Sequence, residues 1–189
     1  YGSIDQPVLP ASVALGVNGK FVARSVDTMA KHLGPMLEEA HAFQGAAFIE
    51  ILQNCPIFND SEWGHVTERK AAKDNQLLLE HDKPMIFGAE DNKGLRLKPG
   101  KMELEIVTLG EDGVTEEDIL VHDETNRSMA FLLAAMEPPS FPIALGVLYR
   151  EQAPSYETAV LAQVEDTTKR LCEGDLEALF NQGHTWTVE

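Results

Sequence analysis

Residues Ala46-Ala47-Phe48-Ile49-Glu50-Ile51-Leu52 form a nearly unbroken apolar run that stops at Gln53-Asn54-Cys55-Pro56. A run rich in β-branched and aromatic residues, following a helical pattern, predicts a strand buried on both faces of a parallel sheet. Parallel strands cannot be joined by a hairpin and need a crossover element between them. The preceding residues supply one. Phe21 to Ala23 reads as a short strand, and Asp27 as the cap of a helical pattern with Met29, Leu33, Met36, Leu37 and Ala40 on one face. Pro35 is expected to split that pattern, leaving a longer helix from Pro35 to about Gln44, with Gly45 at its C-cap. Strand, helix, strand in this order makes a right-handed crossover unit.

In open α/β sheets ligands bind in the crevice beyond the carboxyl ends of the strands, and Cys55 falls there. On residue type alone, a free cysteine more often serves as a small buried hydrophobe. Asn54, Asn59 and Asp60 flank it; they can face a cofactor, or act only as the turn residues that Asn and Asp commonly are. Glu50 is unusual inside a buried strand, since a buried carboxylate is costly unless paired. Arg24, on the neighbouring strand, is its expected partner. His65 and Glu68 share a candidate helical face, and His81-Asp82 and His122-Asp123 are adjacent pairs. None has zinc-site spacing. Cys172, on the C-terminal helix, is expected to be half-buried packing. Hydrolase-elbow, Walker and dinucleotide motifs do not occur.

After Asp60 the pattern changes. Glu62 to Lys73 is polar and weakly helical. Short candidate strands follow at 77–79, 85–87, 95–97, 104–107 and 119–121, separated by turns. Ser128 to Met136 predicts a short apolar helix, and Ile143 to Leu148 a last strand. From Tyr156 to about Phe180 the spacing of Val160, Leu161, Val164, Leu171 and Leu176 predicts an amphipathic helix interrupted near Gly174. Its apolar face is expected to dock on a partner subunit or a symmetry mate. Three regions result: 1–60, 61–151 and a helical tail at 152–189.

The net charge of −16 argues against nucleic acid or an anionic membrane as partner, because both need clustered Lys and Arg. No apolar run approaches the ~20 residues of a membrane-spanning helix. Two cysteines far apart in sequence give no disulfide framework and fit a reducing, cytoplasmic setting.

The stretches Tyr1-Gly2-Ser3-Ile4-Asp5, Phe21-Val22-Ala23-Arg24-Ser25-Val26-Asp27 and Asn54-Cys55-Pro56-Ile57-Phe58-Asn59-Asp60 together resemble the β subunit of 2-oxoacid:ferredoxin oxidoreductases, most closely the 2-oxoglutarate type. Pro84-Met85-Ile86-Phe87-Gly88, Lys93-Gly94-Leu95-Arg96-Leu97 and Val121-His122-Asp123-Glu124 are similar to that family's C-terminal extension. The resemblance implies an α/β fold: the C-terminal part of a thiamine-diphosphate-binding fold, a parallel sheet with crossover helices, followed by a smaller mixed α+β extension. It implies thiamine diphosphate, magnesium and a 4Fe-4S cluster in the intact subunit, with Cys55 as one cluster ligand and Asn54, Asn59 and Asp60 beside the cofactors.

The chain also departs from the family. It has no Gly-Asp-Gly for the diphosphate, and only Cys55 and Cys172 where the family has several N-terminal cysteines. It begins at Tyr1, within a motif, and is therefore expected to be the C-terminal part of a longer subunit that holds no cofactor by itself. The implied reaction is oxidative decarboxylation of a 2-oxoacid to an acyl-coenzyme A, with electrons passed to ferredoxin and an α subunit as partner. Ferredoxins are typically acidic, so docking on this acidic chain calls for a locally basic patch or another subunit. The rival readings are a non-oxidative thiamine diphosphate decarboxylase or synthase subunit, and a non-catalytic acidic interaction module.

Overall fold

The structure is a computed structural model that describes residues 4–5, 7–171, 174–186 and 188. It divides into two units, Tyr1–Ala153 and Pro154–Glu189.

In the first unit, helix α1 (Pro10–Gly16) starts with Pro10, whose missing N–H is harmless in a first turn. Strand β1 (Phe21–Val26) follows, then α2 (Ala30–Ala42) and β2 (Ala47–Leu52). β1 and β2 pair in parallel from Phe21↔Ala47 to Val26↔Leu52, which is the expected crossover unit. Helices α3 (Gly64–Thr67) and α4 (Arg69–Asn75) lead to β3 (Gln76–Leu78). Strands β4 (Ile86–Phe87), β5 (Lys93–Leu97) and β6 (Leu104–Thr108) form an antiparallel meander. Residues 119–121, expected as a strand, make only an isolated bridge, Pro84↔Val121, after a 3-10 turn. Helix α5 (Arg127–Ala134) is capped by Asn126, which accepts from the Met129 amide, and leads to β7 (Ile143–Arg150).

β7 returns beside β1 and runs antiparallel to it, while β3 pairs with β7 in parallel. The main sheet therefore has the order β2-β1-β7-β3. This order revises what the 46–52 run suggested. The run forms a strand, but it is not buried on both faces: β2 lies at the sheet edge, and of its residues only Leu52 is buried. The strand buried along its whole length is β1, placed between β2 and β7. Its length was underestimated because Arg24 and Ser25 interrupt the apolar pattern. The parallel sheet of the expectation is thus a mixed one, since β7 is antiparallel to β1.

Side chains alternate across β1 as the strand period requires. Val22 joins the core formed with Ala11 and Leu15 of α1, Leu133 of α5 and Leu148 of β7. Phe21 and Ala23 join Met36 of α2 and Phe43 on the opposite face. Helices α1 and α5 therefore cover one face and α2 the other. Pro35 does not split α2. It sits near the helix start on an exposed position, so the Lys31 carbonyl left without a donor belongs to an exposed residue that water can reach. Met29 occupies the N-cap position expected for Asp27.

In the second unit, α6 (Tyr156–Leu171) and α7 (Leu176–Phe180) reproduce the expected interrupted helix, and Leu161, Val164, Leu171, Leu176 and Phe180 are exposed. The expectation for Cys172 lies outside the described residues. No described helix is long and apolar enough to cross a membrane.

Candidate functional site

β2 ends at Leu52, whose carbonyl accepts from the Asp27 amide just beyond β1, so the two carboxyl ends are held level. The chain then makes a closed loop carrying Cys55. The Asn59 amide donates to the Cys55 carbonyl at 3.0 Å, forming an isolated bridge between the two residues. Asn54 closes the loop. Its Nδ2 donates to Asp60 Oδ1 at 2.8 Å, and its Oδ1 accepts from the Ser61 amide at 2.7 Å. Asn59 Nδ2 donates to Glu62 Oε2 at 2.6 Å. The structure thus brings Asn54, Cys55, Asn59 and Asp60 into one loop, with the Asn and Asp side chains bonded among its own residues. The Cys55 thiol is free and exposed. Ile57 and Phe58 beside it are 86% and 91% exposed, a high value for large apolar side chains.

Beside this loop lies a cavity of about 460 Å³, lined by Arg24, Glu50, Trp63, His65 and Glu137 among others. It lies near the carboxyl ends of the parallel β1–β2 pair, where open α/β sheets bind ligands. Arg24 donates from Nε to Glu50 Oε2 at 2.7 Å, the ion pair expected from sequence. A second guanidinium nitrogen donates to the Ala134 carbonyl at 3.4 Å. Trp63 and His65 stand with ring centroids 5.9 Å apart, and His65 Nε2 is buried without a hydrogen-bond partner among the described residues. Sequence reasoning weighed His65 only as a metal ligand and missed Trp63 and Glu137. Trp63 lies in the weakly helical 62–73 stretch and Glu137 just past the apolar helix, and only the folded chain brings both beside Arg24 of β1.

Elsewhere, Ser25 Oγ and His32 Nδ1 are 2.9 Å apart between β1 and α2, and burial lowers the pKa of His32. His122 is buried, with Nε2 against the Val147 carbonyl at 2.8 Å, and burial lowers its pKa as well. Ser25 is fully buried, so this Ser–His contact is structural.

An iron–sulfur cluster needs soft, anionic thiolates. Cys55 offers one free, exposed thiol on a bonded loop. Among the described residues, no group of three or more His, Cys, Asp and Glu is arranged to hold a metal, so further ligands would have to come from elsewhere. For thiamine diphosphate, the family's diphosphate-binding Gly-Asp-Gly is absent from this sequence.

No family model matches the chain. It is 32% identical to the 2-oxoglutarate oxidoreductase subunit KorB of Mycobacterium tuberculosis over 193 aligned positions, which cover 100% of this chain and 50% of that protein. A 2-oxoacid:ferredoxin oxidoreductase subunit beta of a Sulfolobus species is 36% identical over 64 residues, 32% of this chain and 21% of the relative. The chain thus spans half the length of the Mycobacterium relative. A solved structure, the 2-oxoglutarate:ferredoxin oxidoreductase of Magnetococcus marinus with 2-oxoglutarate, coenzyme A and succinyl-CoA bound, shares the fold. Its TM-score is 0.58 over 98% of this chain and 47% of that one, at 18% identity. Over its whole length the chain is thus similar in sequence to about half of a 2-oxoglutarate oxidoreductase subunit, and it shares the fold of the Magnetococcus enzyme.

Proposed function

We propose that the chain works as the C-terminal part of a 2-oxoacid:ferredoxin oxidoreductase β subunit. In this reading the enzyme converts a 2-oxoacid, of the 2-oxoglutarate type, to an acyl-coenzyme A and delivers the electrons to ferredoxin. The observation that carries the proposal is the 32% identity, over the whole chain, to half of a 2-oxoglutarate oxidoreductase subunit, with an exposed free thiol on the loop after β2. When bound, thiamine diphosphate with magnesium would supply the carbanion chemistry and a 4Fe-4S cluster a one-electron path.

The residues of this chain have narrower tasks. Cys55 offers one thiolate ligand. The loop bonds of Asn54, Asn59 and Asp60 fix where that sulfur stands. The Arg24–Glu50 pair locks β1 to β2 beneath the loop, so the sulfur is carried by a rigid sheet end. An α subunit would complete the enzyme, and a cytoplasmic setting would keep Cys55 reduced.

The proposal is tested with the intact subunit assembled with its α partner. Coenzyme A-dependent reduction of ferredoxin is followed with 2-oxoglutarate and with pyruvate. The expected result is reduction that requires coenzyme A and is faster with 2-oxoglutarate. A 2-oxoacid decarboxylation that reduces no acceptor would instead favour a non-oxidative thiamine enzyme.

A further inference from the structure

We propose that Asn54 is a positioning residue, which through paired bonds to Asp60 and to the Ser61 backbone holds the loop in the shape that presents Cys55. The inference rests on the reading of Cys55 as a cluster ligand. Its geometric half stands on the loop alone.

Three observations converge on it. First, the two ends of Asn54's amide are used at once: Nδ2 donates to Asp60 and Oδ1 accepts from Ser61, across six and seven residues of sequence. An amide can do this and a carboxylate cannot, since only the amide has both a donor and an acceptor. Second, Ser61 has φ +67°, in the left-handed region that non-glycine residues seldom occupy. Such a conformation persists when its surroundings enforce it, and the Asn54 acceptor bonded to the Ser61 amide is placed to do so. Third, the loop has little else to hold it. Ile57 and Phe58 are exposed, and the other bonds are Asn59 to the Cys55 carbonyl and Asn59 to Glu62. Without Asn54, the two limbs of the loop lose their direct side-chain tie.

The Asn54–Asp60 bond has a direction that a swap of groups can test. In N54D, two carboxylates meet where an amide met a carboxylate, and like charges repel. In D60N, an amide at each position still allows a hydrogen bond. In N54D/D60N, the donor and acceptor trade places and the bond is restored. Amide exchange at Ser61 and Asn59 is measured by NMR on residues 1–189, with the buried strand amides of Val22 and Leu145 as fold controls. N54D should raise exchange at Ser61 and Asn59 about fivefold, because the lost Nδ2 donor and the repulsion from Asp60 push the residue 54 side chain off the Ser61 amide, and leave Val22 and Leu145 unchanged. D60N should stay near wild type, and N54D/D60N should return towards it.

In the intact subunit, the electron paramagnetic resonance spectrum and reduction potential of the reduced cluster should follow the same order: altered in N54D, recovered in N54D/D60N. A change in loop exchange without a change in cluster spectrum would overturn the positioning role. Unchanged exchange in N54D, or a double variant no better than N54D, would overturn the tie itself. An iron-free wild-type subunit would instead count against Cys55 as a ligand, and the exchange pattern would still decide the tie.

Discussion

Arg24 of β1 and Glu50 of β2 stand opposite each other in the parallel register and are joined Nε to Oε2 at 2.7 Å, with the guanidinium almost fully buried and the carboxylate mostly buried. A buried charged pair within the strands does not raise stability much over well-packed apolar residues, because desolvation offsets the attraction. Removing one partner is different, since it strands the other charge.

Glu50→Gln should therefore destabilise residues 1–189 by about 2–3 kcal/mol in urea unfolding, since Arg24 keeps its charge and loses its counter-ion. The double variant R24M/E50L should recover most of that loss. A neutral E50Q would mean that Arg24 finds another anion in the fold.

Gly146 of β7 has φ +137°, and a Cβ there would stand 2.8 Å from the Leu79 carbonyl oxygen and the Leu79 Cβ. Both the backbone conformation and the close approach require glycine. Gly146→Ala should cost about 3 kcal/mol, read as a lower urea midpoint at unchanged slope. Loss smaller than about 1 kcal/mol would show that β7 can shift away from Leu79.

His122 and His32 both have pKa values lowered by burial. Between the unfolded value of about 6.5 and the lower folded values, the unfolded chain binds more protons than the folded one. Their contribution is therefore fully present above about pH 6.5 and is lost as pH falls towards the folded values. Stability should fall between pH 7.5 and 5.5, and His122→Gln should reduce that slope. An unchanged slope in the variant would place the pH dependence in other groups. Asp74, Asp118, Asp123 and Glu151, whose pKa values hydrogen bonds lower, add a separate loss at more acidic pH.

Much of this architecture was legible in local pattern, and the exceptions have physical causes. The β1–α2–β2 unit follows from two apolar runs around an amphipathic stretch. The edge position of β2 does not, because strand order depends on β7 returning antiparallel to β1 from more than a hundred residues away. β1 reads as half its true length because Arg24 and Ser25 look polar, whereas Glu50 and His32 satisfy them in the fold. Pro35 looks like a helix breaker, yet near the start of a surface helix its missing donor leaves a carbonyl within reach of water. In the site, the Arg24–Glu50 pair and the Cys55 loop were foreseeable from residue type. The cavity's Trp63 and Glu137 were not, and His65 was marked only as a candidate metal ligand, since their convergence depends on chain path rather than on spacing.

The role proposed for Cys55 is ligation of an iron–sulfur cluster in an oxidoreductase subunit. Its most direct test is iron and acid-labile sulfide per intact subunit, wild type against Cys55→Ser, with far-ultraviolet circular dichroism as a fold control. C55S should keep the fold and lose or strongly alter the cluster, with electron transfer to ferredoxin falling at least about tenfold. Iron content, sulfide content and transfer rate all unchanged in C55S would contradict it.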